Sequence, residues 1–108
     1  MSRSILIELA FDSIKEILQT KELIDKDTLL HTYPLLKEQV PIELNIYVAN
    51  KLHGSYKAHA KKTLLEDIIL GSKIAAFEAN KPLKIREFLQ TEIEIILQTP
   101  GGVISHRA

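Results

Sequence analysis

Between positions 4 and 20, Ile7, Ala10, Phe11, Ile14, Ile17 and Leu18 recur on one stripe at helical spacing, and Glu8, Asp12, Lys15, Glu16 and Gln19 take the opposite side. The pattern predicts an amphipathic helix, with Ser4 placed so that its hydroxyl accepts from the first free amides. Asp25-Lys26-Asp27-Thr28-Leu29-Leu30-His31 predicts a further helix of one to two turns, capped by Asp25. Pro34 stops it, because the residue before a proline is pushed out of the α region. Positions 35–39 fit a turn or a short helix.

From Pro41 the period changes to two. Ile42, Leu44, Ile46 and Val48 alternate with Glu43, Asn45, Tyr47 and Ala49, which is the pattern of a half-buried strand. Asn50-Lys51 is placed to turn the chain, and positions 52–57 return as a second strand. Its period puts Leu52, Gly54 and Tyr56 on one side and His53, Ser55 and Lys57 on the other. After a basic connector at 58–62, Thr63-Leu64-Leu65-Glu66 matches a capping box. The helix it opens carries Leu64, Leu65, Ile68, Ile69, Ser72, Ala75, Ala76 and Ala79 on a broad stripe, and should end near Asn80, before Pro82. The small residues in its second half point to close approach to a sheet. A turn of helix at 85–89 precedes a third strand at 91–98, where Ile93, Ile95 and Leu97 oppose Glu92, Glu94 and Gln98. Thr99-Pro100-Gly101-Gly102 breaks that strand. The expected fold is α+β, a short antiparallel sheet of about three strands with two main helices packed on one face. Residues 1–99 form one domain in this reading, and residues 100–108 a loose tail.

Composition narrows the classes of function. Fourteen basic residues balance fourteen acidic ones in a chain of 108, so no net field draws nucleic acid or an anionic membrane. The absence of cysteine excludes disulfides, thiolate metal sites and a cysteine nucleophile. No apolar run approaches the roughly 18 residues of a membrane helix, and none reads as a signal peptide. The expectation is a cytoplasmic protein without a membrane partner.

The order of helix, small helix, hairpin, helix, short helix and strand resembles that of the AMMECR domain family. Three runs carry the resemblance: Asp25-Lys26-Asp27-Thr28-Leu29-Leu30 before Tyr33-Pro34; Leu64-Leu65-Glu66-Asp67-Ile68 continuing to Lys73-Ile74-Ala75-Ala76-Phe77; and Glu92-Ile93-Glu94-Ile95 followed by Leu97 and Thr99-Pro100. The family's second-strand signature, Leu-Arg-Gly-Cys-Ile-Gly, is replaced here by Leu52-His53-Gly54-Ser55-Tyr56-Lys57, so only Leu52 and Gly54 persist. Roles of the family's arginine and cysteine therefore do not transfer to His53 and Ser55. The family also continues past the third strand, so the resemblance implies a shortened, repurposed member. It has no firmly assigned reaction, and its association with Memo-like and radical-SAM proteins implies partners of that kind.

His53, Ser55 and Lys57 are the first candidates for a ligand-binding row. Same-face neighbours on a strand lie about 7 Å apart, too far for the direct contact of about 3 Å that a nucleophile and its base require, so no catalytic residue is assigned. Lys57, His59, Lys61 and Lys62, next to Tyr56, are candidates for an anion or nucleic-acid contact, weighed against a solvated loop. None of His31, His53, His59 and His106 forms a helical i, i+4 pair, and no metal site is expected. Glu43, Glu92 and Glu94 are polar positions of alternating strands, a wet sheet face unless burial raises one of them. Gly101-Gly102 lacks the strand, lysine and helix of a phosphate cradle, and no cofactor is expected. The sequence supports a non-enzymatic interaction module that forms a homodimer, against ligand binding or catalysis on the 53–57 strand.

Overall fold

The structure, a computed structural model, describes residues 4–108; the first three residues of the expected domain lie outside them. Helix α1 spans Ile5–Gln19, and the Ser4 hydroxyl accepts from the Ile7 amide at 3.2 Å. Thr20 ends it in the left-handed region at φ 52°, where its amide closes back onto Glu16 and Ile17. Helix α2, Lys26–Thr32, starts under the Asp25 carboxylate, which accepts from both the amide and the hydroxyl of Thr28. A 3-10 turn at Pro34–Lys37 then buries one side chain, Leu36.

Strands β1 (Ile42–Val48), β2 (Lys51–Ala58), β3 (Thr91–Thr99) and β4 (Gly102–Arg107) form one antiparallel sheet in the order β2-β1-β3-β4. Helix α3, Leu64–Phe77, lies against β2 and β1, and α1 lies beside it against β3. The one-turn helix α4, Ile85–Phe88, leads into β3. The core between the layers is built from Leu6, Ile7, Leu9, Ala10 and Ile14 of α1, Leu64, Leu65, Ile68, Ala75 and Ala76 of α3, and the inward rows Ile42-Leu44-Ile46 and Ile93-Ile95-Leu97. Two main helices on one face of an antiparallel sheet is the expected α+β arrangement. Among the described residues no helix is long and apolar enough to cross a membrane.

Four expectations need correction. Residues 102–107 are a fourth strand rather than a loose tail. The Thr99 hydroxyl donates to the Gly102 carbonyl at 2.7 Å across a tight turn that Gly102 completes at φ 128°. Pairing continues to the last residue, where Ala108 and Ile93 exchange both backbone bonds. The β1–β2 turn is Ala49-Asn50 rather than Asn50-Lys51. Both residues have positive φ, the geometry whose twist suits a two-residue hairpin, and Lys51 already pairs with Val48. Helix α3 stops at Phe77, three residues early, where the Glu78 and Ala79 amides both close onto the Ile74 carbonyl. The fourth is a bulge in β2: Ile46 pairs with Gly54 but Tyr47 pairs with Leu52, leaving His53 as the extra residue.

At the start of α3 the Thr63 hydroxyl accepts from the Glu66 amide at 3.3 Å, the half of the capping box that the structure shows. Asp67 behind it is 3% exposed, and its Oδ2 has no hydrogen-bond partner among the described residues. Loss of water pushes its carboxyl above the ordinary range, with Lys62 opposing and Glu66 adding. A carboxyl raised in the fold opposes folding once the pH exceeds its unfolded-state value, near 3.8. Asp67→Asn is therefore expected to stabilise the protein at pH 7 by on the order of 1 kcal/mol, with the gain disappearing near pH 3.5. Urea titrations at both pH values check this, and a variant less stable than the parent at pH 7 would refute it.

Candidate functional site

The sheet face away from α1 and α3 carries an ordered polar network. Period two sends Glu43, Asn45 and Tyr47 of β1 to this side, and the register sets them against Lys57, Ser55 and Leu52 of β2. On the other flank they meet Ile96, Glu94 and Glu92 of β3, and β4 adds Ser105 opposite Ile96 and Arg107 opposite Glu94. Asn45 sits at the centre, 7% exposed without a helix above it, because the longer side chains around it lean inward. Its Oδ1 accepts from the Ser55 hydroxyl at 2.7 Å, and its Nδ2 donates to Glu43 Oε2 and Glu94 Oε1, each at 3.0 Å. The Tyr47 hydroxyl donates to the same Glu94 oxygen at 3.2 Å. These partners orient the amide, since only its nitrogen serves two carboxylates.

The flanks carry the positive charge. Arg107 Nε donates to Glu92 Oε1 at 2.8 Å, and the guanidinium lies 4.5 Å from the centre of the Tyr47 ring. Its NH1 is 3.9 Å from Glu94 Oε2. At the opposite edge Lys57 Nζ is 3.5 Å from Glu43 Oε1. Loss of water, then the Glu94 charge, pushes the Tyr47 phenol above its ordinary value, so it stays a donor at neutral pH. The Glu92 hydrogen bond raises Arg107 further still. The face therefore presents two carboxylates, Glu43 and Glu94, tied together by one amide, a third, Glu92, held by Arg107, and a cation at each side.

Ser55 and Lys57 both belong to this network, but His53 does not. The bulge turns it to the helix side, where Nε2 is 3.0 Å from the Ala76 carbonyl; a carbonyl only accepts, so Nε2 carries the proton. The Asn80 amide donates back to the His53 carbonyl at 3.2 Å, so this histidine ties β2 to the end of α3. The expected row of His53, Ser55 and Lys57 on one face does not exist, and Leu52 takes the outward place. The basic run is dispersed too. Lys57 is engaged on the sheet face, while His59, Lys61 and Lys62 are exposed in the connector beyond it, with Lys62 near Asp67. Among the described residues no group of three or more His, Cys, Asp or Glu is placed to hold a metal ion.

Asn45, Tyr47 and Arg107 are functional candidates that period and composition did not single out. The sequence does hold a signal for Asn45. Asparagine is disfavoured in mid-strand, so one flanked two residues away by Glu43 and Tyr47 calls for side-chain partners across the sheet.

Together the described residues define a two-layer α+β domain whose second sheet face is polar and carries none of their helices. No family model matches the chain, and no curated protein matches it. Among solved structures it is similar to the crystal structure of an uncharacterised protein from Pyrococcus horikoshii, with a TM-score of 0.73 and 27% identity, over 88% of this chain and 50% of that one. The chain thus spans about half the length of that protein.

Proposed function

We propose that this chain is a cytoplasmic interaction module, related to AMMECR domains, that self-associates through the open face of its sheet. The observation that carries the reading is the Asn45 network, whose central amide is buried by its neighbours on a face without a helical layer. Such a surface is held in place before any partner arrives, which lowers the ordering cost of association. Tyrosine and arginine, the types most often dominant at protein contacts, are stacked there as Tyr47 and Arg107, beside the outward Leu52, which is 58% exposed. Carboxylates flanked by Lys57 at one edge and Arg107 at the other meet the opposite charges of a second copy when the two faces pack offset across the strands. Kinship with AMMECR domains rests on the three sequence runs quoted above, and a cysteine-free chain suits a reducing compartment.

Three inter-strand spacings of about 4.8 Å and seven residues of about 3.3 Å give a face of roughly 14 by 23 Å. That is small for a specific interface, so the dimer is expected to be weak, with a dissociation constant in the range of about 10 to about 100 µM. Light scattering across that concentration range should show a mass rising from monomer toward dimer, and rising less in high salt. Arg107→Glu and Lys57→Glu, at opposite edges, should each weaken it about tenfold, as expected for charge reversal at a rim. A monomer at every concentration, or a dimer indifferent to both changes, overturns the proposal. Catalysis by Ser55 with His53 as base has lost its geometric support, since the two lie on opposite faces.

A further inference from the structure

A second recess lies away from the sheet face, between the last turns of α1, helix α4 and the start of β3. Its volume is about 590 Å³, within the range of small-molecule sites, and its lining is mostly apolar. Phe11 and Phe88 form the floor, stacked at 5.6 Å between centroids with 18° between planes. Leu18, Ile85 and Leu89 form the walls. Ile85 is 70% exposed and Leu89 96% exposed, so neither does much for the folded core. Two large apolar side chains, one turn apart and left in water beside an apolar recess, are a costly arrangement unless something covers them.

The polar groups at the mouth state what that something is. Lys15 and Arg86 stand there with the neutral side chains of Gln19 and Thr91, and the lining contains no carboxylate. Lys15 Nζ lies 5.9 Å from the centre of the Phe88 ring, held above the aromatic floor. Lys15 also lines a smaller recess with Glu8 and Asp12, whereas Arg86 lines only the larger recess. An apolar body with a single negative headgroup matches both features. We infer that the α1–α4 recess binds a small organic monoanion, an apolar carboxylate whose body rests on Phe88, Ile85 and Leu89 and whose headgroup meets Arg86 and Lys15. This site is separate from the proposed dimer face, and neither depends on the other.

Three probes that share one ring system and differ in charge test it: 2-naphthoate, 2-naphthalenemethanol and 2-naphthylmethylammonium. NMR titration of the full chain should show saturable one-to-one binding of 2-naphthoate, with shifts confined to residues 11–19 and 85–91. The neutral alcohol should bind about fivefold more weakly, and the ammonium more weakly again, as expected for a mouth with exposed cations. Arg86→Glu should weaken naphthoate about tenfold, since reversal replaces attraction by repulsion. Leu89→Asn should weaken all three probes without lowering the melting temperature, because that side chain is outside the core. Absence of saturable shifts, equal binding of the three probes, or shifts centred elsewhere overturns the inference. Binding of an acidic amphipathic peptide here without any binding of naphthoate also overturns it, because the occupant is then a protein.

Discussion

Gly54→Ala is expected to destabilise this protein by about 3 kcal/mol, well above a typical surface change. Gly54 faces α3 at the point where helix and strand run closest. A methyl group there would fall onto the Ala75 carbonyl, 2.9 Å from its carbon and 3.3 Å from the Ala75 Cα. The obstacle is backbone, so no rotamer change relieves it, and α3 would have to move off the sheet. Two effects oppose the clash: alanine restricts the unfolded chain by about 0.4–1 kcal/mol, and it suits a strand better than glycine does. Neither is large enough to reverse the sign. Moving α3 would also break the His53 contact with Ala76, so the histidine ring signals should shift along with the loss of stability. Gly71→Ala, on the facing surface of the helix, makes a useful control. Its new methyl would lie 2.6 Å from the Tyr56 ring, a side chain with some freedom to tilt, so about 1–2 kcal/mol is expected. Urea unfolding of the two variants and the parent decides the matter. A Gly54→Ala protein within about 0.5 kcal/mol of the parent would show that the close approach is absent.

That contact shows how far the sequence could be read. The small residues of α3 pointed to close approach, and the structure supplies the partner, Gly54. The helices were legible because their apolar stripes recur several times and their caps, Ser4, Asp25 and Thr63, are hydroxyl or carboxylate side chains at the right offsets. Strand β4 was not, because it lies at the edge with nearly all of its residues exposed, so no burial pattern marks it. The bulge at His53 was invisible for a different reason. A period of two says which residues share a face only while the register holds, and one extra residue moves every side chain beyond it. The same limit shaped the site. Ser55, Lys57 and the three glutamates are polar positions in the sequence, but which of them meet, Ser55, Glu43 and Glu94 on Asn45, Lys57 on Glu43 and Glu92 on Arg107, depends on strand order, which a single sequence does not display. Arg107 was set aside with the supposed tail.

Glu16→Ala is the change outside the core expected to cost most, about 2 kcal/mol, or a fall of roughly 10 °C in melting temperature for a domain of this size. Glu16 lies on the polar side of α1, where its type alone suggests a solvated residue. In the structure its two oxygens join three segments. Oε1 accepts from Lys73 of α3 at 2.9 Å, and Oε2 accepts from the backbone amides of Leu23 and Ile24 at 2.9 and 3.0 Å. Loss of water is the largest single influence on this carboxyl and pushes it up. The Lys73 bond and the two amides together outweigh that and hold it below its ordinary value of 4.5. A carboxylate lowered in this way stabilises the fold above its unfolded value, and that stability is lost as the pH falls through the folded one. The gap between parent and Glu16→Ala should therefore be full at pH 7 and shrink below about pH 4.5, a loss where Asp67→Asn gives a gain. Glu16→Gln separates charge from shape. It retains one acceptor oxygen and one set of contacts, so about half the loss is expected, with no titration in the acid range. If Gln and Ala variants lose stability equally and the loss persists in acid, Glu16 acts by packing its stem and not as the anion that joins α1, the loop after it and α3.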